Sequence, residues 1–236
     1  KRKFGEINFR EYLYEKMNIT EHIETRAKLA NIDPISIAVR DDNLEMFQDI
    51  ISHSNIDEMS STKIQYSFFE PFHFINQMIK MELLSLIEYA SFFGSINIFK
   101  FLLTNDNNLT KFRGKFAIAG GNAEIIHILE ENDINFNSLD CLSTAIQFNH
   151  NDIVHYLHDT KEVKYDIKLI QTCVQYENIS ILEEIFNETP KSNEDQSAII
   201  SAIETATNTG NLDIILYLLN QMSKRDDKIG ETQLIS

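Results

Sequence analysis

Residues 117–129 read AIAGGNAEIIHIL, and residues 145–157 read AIQFNHNDIVHYL, with the same order of small, turn-forming and apolar residues. The small residue that opens this pattern recurs along the chain. It stands at Ala38, Ala90, Ala117, Ala145, Cys173 and Ala206. The spacing is about 28 residues, with one gap of 52 that has room for a blurred unit. Self-similarity at such a period is typical of a stacked repeat protein.

Each copy of the pattern predicts two helices joined by a tight turn. Counted from the small residue, apolar residues at the eighth, ninth and twelfth positions follow the 3.6-residue period of a helix. An apolar residue three positions before the small residue predicts a shorter first helix. The fourth and fifth positions, such as Gly121 and Asn122, predict the turn, because Gly and Asn tolerate left-handed backbone. Acidic or small polar residues at the seventh position are expected to cap the second helix. They are Glu45, Asn97, Glu124, Asp152, Ser180 and Asp213.

The repeats predict an all-α solenoid of about six or seven helix-turn-helix units. We expect capping helices over residues 1–32 and the solenoid over 33–221, with 59–83 as a degenerate unit. The polar segment 222–236 is interpreted as a C-terminal cap or the start of a further unit. Since repeats bury one continuous core, this core is expected to run the whole length of the chain.

Composition excludes several classes of function. Apolar residues make up 43% and charged residues 24% of the 236 positions, as in a folded globular chain. The net charge of −15 disfavours binding to nucleic acid. A partner with a basic surface would be favoured electrostatically, but solubility alone also explains an acidic surface. No apolar run reaches the length of a membrane span, so no membrane insertion is predicted. Two cysteines do not make a disulfide framework, and we expect a cytoplasmic location, with the nucleus as the alternative.

The chemically reactive residues do not form a predicted active site. His150, His155 and His158 are close in sequence, but the repeat places His155 at an outward position and His150 in a turn, so surface histidines are the preferred interpretation. Cys141 and Cys173 occupy buried repeat positions without a histidine placed to activate them. We therefore predict that the chain is not an enzyme and that it has no cofactor, no metal site and no small-molecule substrate.

The order of residues within each unit resembles the ankyrin repeat. DPISIA at residues 33–38 stands in for the ankyrin consensus TPLHxA, and Gly94, Gly121 and Gly210 match its turn glycine. The ankyrin histidine is absent in every unit. The units are also shorter than ankyrin repeats, so the projecting hairpin fingers are expected to be reduced or missing.

A narrower resemblance covers roughly residues 65–160. The stretches FEPFHF at 69–74, IEYASFFGSI at 87–96, AIAGGN at 117–122 and HNDI at 150–153 resemble a divergent ankyrin-like family. This family is expanded in trichomonad-type protists and carries a domain of unknown function. The resemblance implies a fold and a type of cell, and it implies no activity.

The ankyrin resemblance also implies where a protein partner would bind. In that fold the second and third positions after the small residue line the concave surface. The candidates for partner binding are Arg40, Asp41, Phe92, Phe93, Gln147, Phe148, Gln175, Tyr176, Asn208 and Thr209. Two interpretations of the aromatic members stay open: an exposed stripe with binding hot spots, or rings that neighbouring loops cover.

The function predicted from these observations is a non-catalytic protein-interaction scaffold or adaptor that uses its concave face. The alternative is a structural subunit of a larger cytoskeletal or organellar assembly.

Overall fold

The structure, a computed structural model, is mainly helical in the residues that it describes. These residues are 33–53, 63–65, 83–105, 109, 112–190 and 195–234. They fall in two compact units, of which unit 1 ends at Lys111 and unit 2 begins at Phe112. Within this part of the chain, none of the helices combines the length and the apolar character needed to cross a membrane. The predicted caps at 1–32 lie outside the described residues.

The described residues of unit 1 form two helix pairs and one pair of short strands. In chain order the elements are α1 Pro34–Arg40, α2 Leu44–Ser52, β1 Lys63–Gln65, β2 Leu83–Ser85, α3 Leu86–Phe93 and α4 Ile96–Asn105. Helix α1 packs on α3, and α2 packs on α4. The Asp42 carboxylate joins the two pairs, because it accepts hydrogen bonds from the backbone amides of Asn97 (3.2 Å) and Ile98 (3.0 Å) at the start of α4.

The part of unit 2 that the structure describes forms four helix pairs. The elements are α5 Lys115–Gly120, α6 Ala123–Glu131, α7 Leu139–Gln147, α8 Asn151–His155, α9 Leu169–Gln175, α10 Ile179–Glu188, α11 Asp195–Thr209 and α12 Leu212–Leu234. Helix α8 continues as a π-helical turn at Tyr156–Thr160. The first helices of the pairs pack in the order α5, α7, α9, α11.

The predicted turn is present in all six described pairs. The fourth residue after each small residue has a positive φ, which marks left-handed backbone. These residues are Asp42 (47°), Gly94 (68°), Gly121 (70°), Asn149 (56°), Glu177 (56°) and Gly210 (74°). Three of the six residues, Asp42, Asn149 and Glu177, are not glycine. Each carries a Cβ that disfavours left-handed backbone. The position in the repeat therefore determines the backbone more strongly than the residue type does.

The predicted core positions are buried with few exceptions. The small residue is fully buried in every pair: Ala38, Ala90, Ala117, Ala145, Cys173 and Ala206 have no exposed surface. At the eighth, ninth and twelfth positions the apolar residues from α4 to α10 are all buried. The exceptions are Met46, Ile50 and Ile215, which are half-buried. In α2 the buried residues are Phe47, at the ninth position, and Ile51, one residue after the twelfth position.

The prediction that the seventh residue caps the second helix is wrong for four pairs. The fifth residue does so, because its backbone is not yet helical and its side chain can turn back to the free amides. The bonds join Asn43 to the Met46 amide (3.0 Å), Asn122 to the Glu124 amide (3.0 Å), Asn178 to the Ile181 amide (3.3 Å) and Asn211 to the Ile214 amide (3.2 Å). The seventh residue already lies within the first helical turn.

The fifth residue also links successive pairs. In three of them its side chain donates a hydrogen bond to a main-chain carbonyl near the end of the preceding first helix. The bonds join Ser95 to Val39, His150 to Ala119 (2.9 Å) and Asn178 to Ile146 (3.4 Å). Each bond ties a turn to a carbonyl in the last turn of the preceding first helix.

The segment predicted as a degenerate helical unit, 59–83, differs in the part that is described. Strand β1 pairs antiparallel with β2, and Ile64 lies opposite Leu84. Both of these side chains are buried, whereas Lys63 is exposed, so the local pattern alternates with the two-residue period of a strand. The helical period that defines the other units is absent from these residues.

The C-terminal helix α12 runs past residue 221 without a break. It therefore includes much of the segment 222–236, for which the sequence predicts a polar cap or the start of a further unit. Arg225, within this segment, is buried beside the end of α10 and the start of α11.

Candidate functional site

The first helices α7, α9 and α11 lie side by side with their residues in register. Three side-chain hydrogen bonds connect them. Each bond joins a residue of one helix to a residue of the next first helix that stands one position later in the repeat. They join Ser143 to Thr172 (3.4 Å), Gln147 to Tyr176 (3.0 Å) and Gln171 to Thr205 (3.3 Å). The C-terminal ends of the three helices consequently meet at one edge of unit 2.

Six of the candidate binding residues lie at this edge, and we call them the turn row. They are Gln147, Phe148, Gln175, Tyr176, Asn208 and Thr209. Gln175, Asn208 and Thr209 are exposed, whereas Gln147, Phe148 and Tyr176 are half-buried. The turn row is thus neither a fully exposed aromatic stripe nor a covered one.

The two aromatic members of the turn row have partners within unit 2. Gln147 donates its hydrogen bond to the Tyr176 hydroxyl, and burial raises the pKa of that phenol, which keeps it protonated. The Phe148 ring lies nearly parallel to the His150 ring, with centroids 6.4 Å apart. Each ring therefore stabilises the edge and also leaves part of its surface accessible.

The other four candidates lie in unit 1. Asp41 is exposed, and Arg40 is half-buried with its guanidinium donating to the Tyr89 hydroxyl at 3.2 Å. The Phe93 ring is half-buried, and its centroid lies 4.8 Å from that of the Tyr89 ring and 5.2 Å from that of the Phe92 ring. Phe92 itself is only 7% exposed, so its side chain belongs to the core of unit 1 and is not presented to a partner.

The three histidines that are close in sequence have different partners. His150 donates to the Ala119 carbonyl, His155 lies 3.0 Å from Glu184, and His158 lies 2.8 Å from Glu188. In the described part of the chain, no group of three or more His, Cys, Asp or Glu side chains has the arrangement of a metal site. The histidines instead connect neighbouring helix pairs.

Sequence reasoning missed this network between successive second helices. The Tyr165 ring stacks on the His158 ring with centroids 4.1 Å apart, and the Tyr165 hydroxyl donates a hydrogen bond of 3.1 Å to the Glu184 carboxylate. One pair earlier, Glu130 accepts a hydrogen bond from Tyr156 (2.8 Å) and forms an ion pair with Lys161 (2.9 Å). A usable signal existed, because the facing repeat positions carry a carboxylate on one helix and an imidazole, phenol or ammonium group on the other.

The two cysteines lie in the core of unit 2. Both are free thiols, and Cys173 has no exposed surface. Burial raises the pKa of the Cys173 thiol to about 12 and also raises the pKa of Cys141. At neutral pH both groups are therefore protonated, and a protonated thiol is a weak nucleophile.

We expect Cys173 to resist alkylation in the native protein at neutral pH and to react once the chain is unfolded. The measurement is mass spectrometry of the intact chain and of its peptides after treatment with a thiol reagent, with and without denaturant. Rapid modification of Cys173 under native conditions would show that the helix pair α9–α10 opens readily.

Comparison with known proteins gives one partial match. Residues 104–185 match the profile of a family described as a domain of unknown function, DUF3447. A comparison with curated proteins found no match. The matched segment includes four turn-row residues, Gln147, Phe148, Gln175 and Tyr176, and covers about a third of the chain. The description of this family assigns no activity.

Proposed function

We propose that the chain is a non-catalytic protein-interaction scaffold, built as an ankyrin-like solenoid, that binds a protein partner along the turn row. The observation that carries the proposal is the register of α7, α9 and α11, which aligns exposed or half-exposed side chains from three successive pairs. Gln175, Asn208 and Thr209 can each donate and accept hydrogen bonds. Such a row suits the recognition of a protein main chain.

The charge of the edge favours a basic partner. The C-terminal ends of α7, α9 and α11 carry the negative pole of each helix, and the exposed Glu177 adds a carboxylate in the turn that follows α9. The chain as a whole has a net charge of −15. Binding by lysine- or arginine-containing segments should therefore weaken as the salt concentration rises.

The spacing of the row favours an extended segment as the ligand. Packed helices lie about 8–10 Å apart. An extended chain covers about 10 Å in three residues, at roughly 3.3 Å per residue. A partner segment that crosses the ends of α7, α9 and α11 would therefore place every third residue at an equivalent position.

Substitutions at the exposed members of the row test the proposal. We expect Gln175→Lys and Thr209→Lys to reduce capture of basic partner proteins from a lysate of the source cell, because each adds a positive charge at the binding edge. Quantitative mass spectrometry of the captured proteins measures the loss. The folded state of each variant is checked by circular dichroism.

Asn187→Lys is the matched control, since Asn187 is exposed on α10 and lies outside the row. It adds the same charge to the same unit. Proteins lost with both row variants and retained with the control would support the proposal. Equal capture by all variants would reject the turn row as the binding site.

A further inference from the structure

The His158 ring lies between two oxygen acceptors that belong to different elements. Its Nδ1 atom is 3.0 Å from the Val163 carbonyl oxygen, and its Nε2 atom is 2.8 Å from the Glu188 carboxylate on α10. The Tyr165 ring stacks on one face of the imidazole, and the His158 side chain is only 21% exposed. His158 therefore connects the π-helical turn with α10 and with the segment 161–168 that leads to α9.

The two contacts of His158 together need two N–H groups on the ring. A carbonyl oxygen and a carboxylate oxygen both accept hydrogen bonds, whereas a neutral imidazole has a single N–H to donate. A neutral His158 can donate to Val163 or to Glu188, and its other nitrogen then presents a lone pair to an acceptor. The imidazolium form donates to both, and its bond to the carboxylate is charge-assisted. The geometry thus fits a ring that carries two protons.

The contacts of two other histidines do not require a second proton. His155 uses its Nε2 atom, which lies 3.2 and 3.0 Å from the two carboxylate oxygens of Glu184. A neutral ring with its proton on Nε2 can donate there. His127 is exposed, and its Nε2 atom lies 3.4 Å from Glu131 of its own helix α6. The second proton is therefore needed at His158.

Three carboxylates are grouped at this place. Glu184 and Glu188 belong to α10, and Asp159 belongs to the same turn as His158. Burial, together with the charges of these three groups, raises the pKa of the Tyr165 phenol, which stays protonated at neutral pH. A second proton on His158 consequently adds a positive charge among negative ones.

The remaining charged neighbours belong to the segment 161–168 and to α6. The Lys161 ammonium forms an ion pair with Glu130 on α6, at 2.9 Å. Glu162 and Lys164 flank Val163 in the sequence, are both exposed and have opposite charges. These groups leave the bond between His158 and Glu188 as the ionic contact of this ring with α10.

We propose that a proton on His158 holds the segment 161–168 and α10 together at the π-helical turn, and that this joint loosens when the proton is lost. A histidine in water loses its second proton around pH 6.5. Because the closed joint uses the protonated ring, its contribution to stability is complete below about pH 6.5 and is lost as the pH rises. The joint therefore responds to changes of pH in the physiological range.

Hydrogen exchange at the Val163 amide tests this joint. The amide donates to the Leu157 carbonyl at 3.0 Å, so it exchanges when the segment opens. Protection is corrected for the intrinsic effect of pH on exchange. We expect it to fall by about fivefold between about pH 6 and pH 8, the factor that corresponds to one hydrogen bond.

Two glutamine variants identify the group that is responsible. In His158→Gln the fall in protection should be less than about twofold, because glutamine does not lose a proton in this range. His127→Gln is the matched control, since it also removes one histidine from unit 2 but leaves the joint unchanged. It should show the same fall as wild type.

Glu188→Gln separates a requirement for the proton from simple packing. The amide of a glutamine at this position can donate to a bare Nε2 atom while the Nδ1–H group donates to Val163. A neutral His158 then satisfies both contacts, so we expect this variant to keep its Val163 protection at about pH 8.

Four results would overturn the proposal. They are wild-type protection that does not change with pH, a fall in His158→Gln or in Glu188→Gln as large as in wild type, and loss of the fall in His127→Gln. Circular dichroism verifies that each variant is folded. If His158→Gln does not fold, the comparison of Glu188→Gln with wild type decides.

Discussion

Replacing Arg225 with methionine should lower the free energy of unfolding of unit 2 by about 3–5 kcal/mol, the usual cost of breaking a buried ion pair. Arg225 and Asp195 are 3% and 2% exposed and form this pair. The guanidinium also donates to the Phe186 carbonyl (2.6 Å) and to the Thr189 hydroxyl (3.3 Å). Methionine fills similar space but leaves the Asp195 carboxylate buried without its counter-charge.

Urea unfolding followed by far-ultraviolet circular dichroism measures this loss, because the chain has no tryptophan to report by fluorescence. Lys224→Met is the control: Lys224 precedes Arg225 on α12 and is exposed, so its replacement should change stability by less than about 0.5 kcal/mol. Adding Asp195→Asn to Arg225→Met should restore part of the loss, since it removes the negative charge of a buried side chain. If Arg225→Met is as stable as Lys224→Met, then Arg225 does not fasten α12 to α10 and α11.

Gly121→Ala should destabilise unit 2 by about 2–3 kcal/mol. Alanine at a φ of 70° costs about 1–2 kcal/mol in a left-handed backbone. A Cβ on Gly121 would also lie 2.5 Å from the His150 ring. That ring would have to move away, and its hydrogen bond to the Ala119 carbonyl would lose about 1 kcal/mol.

Gly210→Ala separates the cost of the left-handed backbone from the cost of displacing the His150 ring. Gly210 has nearly the same φ, 74°, but a Cβ there would meet no atom within 4 Å. We therefore expect only the backbone cost of about 1–2 kcal/mol, measured by the same unfolding experiment. Equal destabilisation by both substitutions would show that the His150 contact adds nothing to the stability of unit 2.

The turns and the core positions could be predicted from the sequence because they depend on local rules. A small residue repeated at about 28-residue intervals, with apolar residues at helical spacing, determined which side chains are buried in each pair. The rule held even at Glu177, where glutamate adopts the left-handed backbone that the glycines of other pairs adopt. The helix caps were misplaced by two residues, since residue type alone does not reveal where the backbone becomes helical.

The remaining features depend on contacts between residues distant in sequence. Arg225 looks like part of a polar tail in the sequence, and only the ends of α10 and α11 give its guanidinium partners. Strand β2 is separated from β1 by 17 residues, so the pairing of Ile64 with Leu84 has no local signal.

The repeat pattern accounts for the location of the candidate residues in unit 2, and it does not account for their exposure. The second and third repeat positions do lie at one edge of unit 2. Their burial was not predictable, because it depends on neighbouring pairs: Phe92 is buried, whereas Gln175 in an equivalent position is exposed.

The hydrogen bonds that join successive pairs have a consequence for how this chain can change over evolution. His150 and Asn178 donate hydrogen bonds to main-chain carbonyls. Every residue provides such a carbonyl, whatever its side chain is. A neighbouring pair can therefore exchange its own side chains without losing the acceptor. Duplication, deletion or shuffling of whole units by recombination needs no matched substitution at this joint, so units with diverged sequences remain able to stack on one another.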